Sequence, residues 1–456
     1  MDARAILAQG WLDSEEHTLA DFLEYPDSDL FTKAKLSYLY IQDMKRKGVY
    51  QYQRPLMSAC ENRVLMYDEQ TGWTREMIMM ASNNYLGLAT HPKVMQAALQ
   101  ATRDYGTGLC GSPMLSGTTR LTRQLEEKLA AFVGCEDAIL FPTGYAANVG
   151  AISALVRQKD VVFIDKIDHA SIIDGCHLSH GDMRLFKHND IEHLSGQLQK
   201  YAPQFNGKLI AVDGVFSMDG DITPLPDVVA LAAQHGARVM IDEAHALGVL
   251  GKSGRGTLEH FGLDGKVDVV VGTCSKALGS KGGFAASTKE VVNHLRYYAR
   301  SYMFSTASAP SLVASTLAAL EVIEQEPQWR QRLWENIRYL HRYLKALGFH
   351  VIPEQPESAV IIVEIGDEVK LRQMSKYLHN AGIYTNAVPF PAVPRNRGRF
   401  RLSVMATHTR QDLDETLDAF AKMRTKFDLA PYRPVLVQDI RIRARQVRDA
   451  LVLAAF

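Results

Sequence analysis

Reactive side chains follow each of five short apolar runs in the middle of the chain. The runs, which are rich in Val and Ile, are 137–144, 160–168, 208–216, 237–244 and 267–273. The side chains at or just beyond their ends are Thr143, Gly144, Tyr145, His169, Ser217, Asp242, His245, Thr273 and Lys276. Open parallel sheets bind their ligands at the carboxyl ends of the strands. If the runs are such strands, these residues meet at a single site.

These residue types are the ones that pyridoxal phosphate requires. The cofactor forms a Schiff base with a lysine, keeps its pyridine nitrogen protonated beside a carboxylate, and stacks against a flat ring. Lys276, Asp242 and His169 can meet these three needs. The segment 143–145, two small residues and an aromatic at the start of a helix-like segment, suits the phosphate because a helix N-terminus binds anions. A single lysine or aspartate after a strand is most often a surface residue or a helix cap, so the prediction depends on the ordered set.

The segments that position this set alternate between strand-like and helix-like from about 90 to 330. The helix-like segment 225–236, for example, begins near Pro-Asp and ends with Gly. This alternation indicates βαβ units and an α/β fold whose mostly parallel sheet is covered on both faces. An eight-stranded barrel alternates in the same way. The pattern changes after about 325 to a long amphipathic helix and the runs 358–366 and 399–406, which favours a smaller α+β domain instead.

We therefore predict four units along the chain. They are an N-terminal helical extension and arm (1–75), a large cofactor-binding domain (76–325), a small α+β domain (326–430) and a basic tail (431–456).

Composition excludes several classes of protein. The 456 residues are 46% hydrophobic, so the chain is neither disordered nor collagen-like. Lys plus Arg and Asp plus Glu both number 51, and this balance argues against a nucleic-acid partner. The five cysteines form no CxxC pair, which favours the reducing cytoplasm. No apolar run approaches the roughly eighteen residues of a membrane span, so we expect membrane contact to be peripheral at most.

Three further sequence motifs lack the neighbouring elements, residues or spacing that their usual functions require. The segment 106–111 spells GxGxxG, but a helix-like segment precedes it where a nucleotide-binding fingerprint needs a strand. The DEAH of 242–245 and the GKS of 251–253 do not make an ATPase, because the loop needs Gly where the chain has Ala246. The His and Cys residues of 169–180 lack the spacing of zinc ligands, so no metal site is predicted.

Beyond these patterns, the chain resembles a known family over about 45–425. The stretches TCSKALGSKGG, VMIDEAHALGVLG, DHASIIDG, GVFSMDGD and RLSVMATHT are together similar to the α-oxoamine synthases, a group of fold-type-I pyridoxal phosphate enzymes. Within that group YQRPLMS, YGTGLCGS and FPAVPRNRGRFRLSVMATHT look most like bacterial serine palmitoyltransferases.

The resemblance implies roles for the cofactor residues. Lys276 would hold the cofactor and then act as acid–base catalyst at the substrate α-carbon. Asp242 would pair with the pyridine nitrogen, and His245 would bond the ring hydroxyl. His169 would stack on the ring. The phosphate would contact Thr143, Gly144, Tyr145 and Thr273, with Ser217 also at the cofactor.

The resemblance also implies substrate contacts and a homodimer with shared active sites. Arg401 would pin the amino-acid carboxylate, Asn83 would line the same pocket, and Ser305 or Thr306 would reach the phosphate of the partner subunit. Relatives often carry Arg at the position of Pro113 and His at that of Thr122, so these two departures leave the substrates open.

The implied reaction is a decarboxylative Claisen condensation. An amino acid loses its α-proton to Lys276, and the carbanion attacks an acyl thioester and displaces its thiol. Carbon dioxide then leaves, and reprotonation gives an α-amino ketone. Serine is the favoured amino acid, with alanine and glycine open, and the acyl donor is a CoA or a carrier-protein thioester. An aminotransferase or a β-eliminating lyase on the same fold is the alternative. A binding protein that kept the fold would have little need of Lys276.

Overall fold

The computed structural model describes residues 3–23, 25–69 and 71–432. The α-helices are α1 Ala3–Gln9, α2 Ala20–Leu23, α3 Thr32–Arg46, α4 Pro92–Tyr105, α5 Arg120–Val133, α6 Gly144–Leu155, α7 Ala170–Ser179, α8 Ile191–Tyr201, α9 Leu225–His235, α10 Thr257–Phe261, α11 Lys289–Tyr298, α12 Arg300–Met303, α13 Pro310–Gln325, α14 Gln328–Ala346, α15 Glu368–Asn380 and α16 Arg410–Lys426. The strands are β1 Arg63–Asp68, β2 Trp73–Met79, β3 Asp137–Phe141, β4 Val161–Asp165, β5 Asp182–Phe186, β6 Lys208–Asp213, β7 Arg238–Asp242, β8 Val269–Thr273, β9 Gly283–Ser287, β10 His350–Ile352, β11 Val360–Gly366, β12 Ile383–Tyr384, β13 Asn386–Val388 and β14 Gly398–Ser403.

A seven-stranded sheet forms the centre of the large domain, in the order β3-β9-β8-β7-β6-β4-β5. Every strand runs parallel except β9, which is antiparallel to both of its neighbours. Apolar clusters lie on both faces, and strands such as β4 and β8 are buried along their whole length. The sheet is open, as the predicted α/β fold requires, and it is not a barrel.

The helix signals in the sequence have the expected consequences. Pro lies in the first turn of α9, and Gly236 follows its last residue with a φ of 62°, the left-handed conformation that glycine tolerates best. Helix α4 immediately precedes the GxGxxG segment 106–111, so that segment has the wrong context for a dinucleotide. Strands β5 and β9 were not among the predicted runs.

The small domain contains a four-stranded antiparallel sheet in the order β10-β11-β14-β13. Strands β11 and β14 correspond to the predicted runs 358–366 and 399–406. Helices α14, α15 and α16 pack around this sheet and against one another, and the apolar residues between them join the main core. Strand β14 ends beside the large domain and brings Arg401 to it.

The N-terminal extension contains helices and is anchored to the small domain. Helices α1–α3 enclose a core of their own around Phe22, Leu36 and Tyr40. Strands β1 and β2 pair with each other, and β2 also pairs with β12, so the predicted boundary at 75/76 falls inside a strand. Within the described residues, no helix is long and apolar enough to cross a membrane. Most of the predicted basic tail, 433–456, lies outside the described residues.

Arg372 of α15 fastens this extension in place. Its guanidinium is buried and donates hydrogen bonds to the Ser14 carbonyl at 2.7 Å and to the Tyr40 hydroxyl at 2.8 Å. These two bonds tie the N-terminal extension to the small domain.

We predict that Arg372→Ala weakens the docking of the extension by about 2 kcal/mol. The fraction of molecules with a detached extension should then rise roughly 30-fold. Limited proteolysis should then cleave residues 10–50 much faster while the rest of the chain stays intact. The matched control is Gln373→Ala, an exposed residue of the same helix; identical digestion of both variants would contradict the prediction.

Candidate active site

A cavity of about 210 Å³ lies at the carboxyl ends of β4, β6, β7 and β8. Its walls include all the strand-end residues singled out from the sequence, namely Thr143, Gly144, Tyr145, His169, Ser217, Asp242, His245, Thr273 and Lys276. Asn148, Ser171, Asp213, Ala244 and Ser275 complete the lining. The parallel sheet therefore brings side chains from across more than a hundred positions of the chain to one edge.

Lys276 lies at the start of a tight loop between β8 and β9. The loop is closed by hydrogen bonds from Cys274 N to Gly282 O at 3.0 Å and from Gly279 N to Lys276 O at 2.9 Å. Gly279 has a φ of 60°, and an added Cβ would lie 2.4 Å from the amide nitrogen of Ala89. Burial, assisted by the charge of Arg401, lowers the pKa of the Lys276 amine to about 8 although Asp242 opposes the shift.

The Asp242 carboxylate, at the end of β7, accepts one hydrogen bond on each oxygen. Oδ1 accepts from the amide of Ala244 at 2.8 Å, and Oδ2 accepts from Nδ2 of Asn148 at 2.6 Å. The residue is only 5% exposed. These two bonds fix the orientation of the carboxylate and leave it lone pairs for a further donor.

His245 is held by Tyr85 and by the loop that begins at Asp242. Its Nδ1 lies 2.6 Å from the buried Tyr85 hydroxyl. Burial and the positive charges of Lys276 and Arg401 hold the pKa of His245 well below its usual range, so the ring is neutral. The loop itself is anchored by Glu243, whose buried carboxylate accepts hydrogen bonds from the amides of the first turn of α10.

The N-terminus of α6 opens onto the cavity beside β8. Thr143 caps the helix by accepting a hydrogen bond from Ala146 N at 3.0 Å, while the first-turn amides of Gly144 and Tyr145 have no partner within the helix. A Cβ on Gly144 would lie 2.9 Å from Cβ of Thr273. Because Gly144 has no side chain, an anion next to the Thr273 hydroxyl can approach the backbone amides closely.

Arg401 reaches this edge from the small domain. It is 6% exposed, and its Nε donates to the carbonyl oxygen of Ser217 at 2.6 Å. Its Nη1 donates to Oδ1 of Asn83 at 3.1 Å and to Oγ of Ser403 at 3.0 Å. Ser217 lines the cavity, so the two predicted substrate residues lie together at its border.

Ser305 and Thr306 do not line this cavity within one chain. Thr306 is exposed and lines a separate small cavity together with Pro113 and Thr122, the two positions where the sequence departs from its relatives. The role of Ser305 or Thr306 across a dimer interface stays a prediction.

Sequence reasoning missed several of the residues that support the site. Asp213 is the last residue of β6 and pairs in register with Asp242 on β7. It lies at the carboxyl end of a parallel strand, where ligands bind, so its position in the sequence could have identified it. Burial and the charge of Asp242 raise the pKa of Asp213 well above its usual range. Asn148 follows Gly144 by four residues and so faces the same side of α6. Nothing in the sequence marked Tyr85 as a partner of His245.

The residues fit pyridoxal phosphate. An amine of lowered pKa, an oriented carboxylate and a glycine-lined helix N-terminus lie around a single cavity. The Oδ1 atom of Asn148, a residue of the cavity lining, is also buried without a hydrogen-bond partner in the described residues. Lys276, Asp242, His169 and the 143–145 turn are the groups that would hold the cofactor.

Comparison with known proteins identifies relatives along most of the chain. Residues 75–420 match the family model "Aminotransferase class I and II". The 8-amino-7-oxononanoate synthase of Symbiobacterium thermophilum is 43% identical over 85% of this chain and 97% of its own. The 4-hydroxy-2,2'-bipyrrole-5-methanol synthase of Serratia sp. is 41% identical over 88% of this chain, which spans only 61% of that relative's length.

A solved serine palmitoyltransferase from S. paucimobilis, with bound PLP and myriocin, superposes with a TM-score of 0.84. It is 34% identical, and the match covers 88% of this chain and all of that one. The chain therefore belongs to the class I and II aminotransferase family and, within it, to the α-oxoamine synthases: it is a pyridoxal phosphate-dependent acyltransferase that condenses an amino acid with an acyl thioester and releases carbon dioxide.

Proposed function

We propose that the amino acid is serine and that the acyl donor is a long-chain thioester, so that the product is a long-chain α-amino ketone of the kind used to build sphingolipid-like bases. The observation that carries this proposal is the match to serine palmitoyltransferase over the whole of that enzyme's chain. Arg401 also supports the proposal, because its buried guanidinium donates hydrogen bonds to the Ser217 carbonyl and to Asn83 at the border of the cavity. A planar guanidinium in a fixed position suits a carboxylate.

The proposal assigns a task to each group of the site. Bound pyridoxal phosphate supplies an electron-withdrawing ring that takes up negative charge from the substrate α-carbon. Lys276, an amine with a pKa of about 8, holds the cofactor and then removes and returns the α-proton. Asp242 would keep the pyridine nitrogen protonated, and the neutral His245 would bond the ring hydroxyl. Arg401 would hold the amino-acid carboxylate and so fix the orientation of the substrate α-carbon.

We propose further that the enzyme is a cytoplasmic homodimer in which Ser305 or Thr306 completes the partner's phosphate site. Large apolar side chains near these residues support an interface: Phe304 is 73% exposed and Leu115 is 88% exposed. The free cysteines of the described chain support a reducing compartment.

The substrate assignment is tested with purified holoenzyme, palmitoyl-CoA and serine, alanine or glycine in turn. Serine should give carbon dioxide and free thiol in equal amounts, with kcat/KM at least about tenfold above the other two amino acids, a typical discrimination between small side chains. Preference for another amino acid would overturn the serine assignment only. Turnover with a keto acid, without thioester consumption, would favour the aminotransferase alternative.

The lowered pKa of Lys276 predicts a pH dependence of cofactor attachment. Only the uncharged amine attacks the cofactor aldehyde, so the rate at which cofactor-free protein gains its visible absorbance should rise with pH and level off above about 8. Arg401→Gln should move the midpoint upward because it removes a positive charge. Asp242→Asn should move it downward because it removes the negative charge that favours the ammonium form. A wild-type rate that keeps rising into the ordinary lysine range would contradict this account.

Arg401 and Arg399 form a matched pair for testing carboxylate recognition. Both are buried on β14, but Arg399 contacts the Met218 carbonyl and Asp219. Arg401→Lys should raise KM for the amino acid by roughly 10-fold or more, because lysine lacks the planar guanidinium that the Ser217 carbonyl and Asn83 hold in place, and should leave KM for the thioester nearly unchanged. Arg399→Lys should change neither KM by a comparable amount. Equal effects from both variants would assign Arg401 a structural role instead.

A further inference from the structure

Four polar side chains form a continuous chain of hydrogen bonds along one wall of the cavity. Nδ2 of Asn148 donates to Oδ2 of Asp242 at 2.6 Å and to Oγ of Ser171 at 2.9 Å. Oγ of Ser171 lies 2.7 Å from Nδ1 of His169. Asn148 is 1% exposed and Ser171 is fully buried, so water does not compete for these bonds. The Asp242 carboxylate and the His169 ring are thereby connected through two residues without an assigned role.

The direction of each proton in this chain follows from its chemistry. Nδ1 of His169 also accepts a hydrogen bond from the backbone amide of Ser171 at 3.3 Å, so it carries no proton. The Ser171 hydroxyl must therefore donate to Nδ1, which leaves its oxygen to accept from Asn148. The Asn148 amide cannot be reversed, because an amide oxygen toward Asp242 would face a carboxylate acceptor.

We propose that Asn148 and Ser171 are positioning residues that hold His169 as the neutral tautomer protonated at Nε2 and couple its ring to the Asp242 carboxylate. The inference rests on the proposed function in one respect, the placement of His169 against the cofactor. It goes beyond that function by naming the groups that select the tautomer and fix the ring. Nε2–H is then the only donor that the ring offers to the cavity.

The proposal is tested on holoenzyme labelled with nitrogen-15 histidine, without substrate. The His169 resonances are assigned by their loss in His169→Gln. Wild-type enzyme should show a protonated Nε2 and an Nδ1 shifted as a strong hydrogen-bond acceptor. In Ser171→Ala the Nδ1 resonance should move toward that of a free imine nitrogen, because the 2.7 Å hydroxyl contact is lost and only the longer bond from the backbone amide of residue 171 remains. The matched control is Ser179→Ala, because Ser179 is equally buried on α7 but donates to the Cys176 carbonyl at 2.7 Å.

A second variant, Asn148→Ala, distinguishes the Asp242 end of this series of hydrogen bonds from the His169 end. It removes the donor to Asp242 as well as the donor to Ser171, so it should lose bound cofactor several-fold faster than Ser171→Ala, which leaves Asp242 untouched. An unmoved Nδ1 resonance in Ser171→Ala, or an Nδ1-protonated ring in wild type, would overturn the proposal. Neither result depends on which substrate the enzyme uses, so these experiments test the tautomer proposal independently of the substrate proposal.

Discussion

The opposition between burial and charge at Lys276 is the constraint on which the site depends. Asp242 attracts the ammonium form of the lysine, whereas removal from water and the charge of Arg401 favour the free amine, and burial prevails. The result, a pKa of about 8, gives a lysine that can bond covalently to an aldehyde and still carry a proton near neutrality. A more exposed lysine would stay charged, and a site without Asp242 would lose the carboxylate that we propose as the partner of the pyridine nitrogen.

The fold maintains this opposition by keeping the two groups on neighbouring strands. Asp242 ends β7 and Lys276 follows β8, which pairs with β7 in parallel. The loop after Lys276 returns into β9, and a Cβ on Gly283 would lie 2.4 Å from the carbonyl oxygen of Thr143. The 143–145 turn and the loop after Lys276 therefore pack directly on each other. Arg401 comes from the separate small domain, so the predicted cofactor and substrate residues meet where the two domains touch.

Much of the site was predictable because a parallel sheet turns order along the sequence into position in space. Each predicted cofactor residue lies at or just beyond the end of a strand, and the carboxyl ends of parallel strands lie together at one edge of the sheet. These residues are Asp242, Lys276, His169 and those of the 143–145 turn. Asn148 and Ser171 were not predictable in this way, because they lie inside α6 and α7 and their contacts depend on how those helices rotate against the sheet. Strand β9, with the sequence GFAAS, lacks the β-branched residues that mark a strand and is defined by its pairing with β3 and β8.

The central claim, that Lys276 holds the cofactor at the edge of the sheet, is tested most directly by peptide mapping. Holoenzyme is treated with sodium borohydride, which fixes the cofactor permanently to the lysine that carries it, and the digest is analysed by mass spectrometry. The account predicts a single modified peptide with the added mass on Lys276. Modification of Lys281, five residues further along the same loop, or of a lysine outside it, would contradict the site as described.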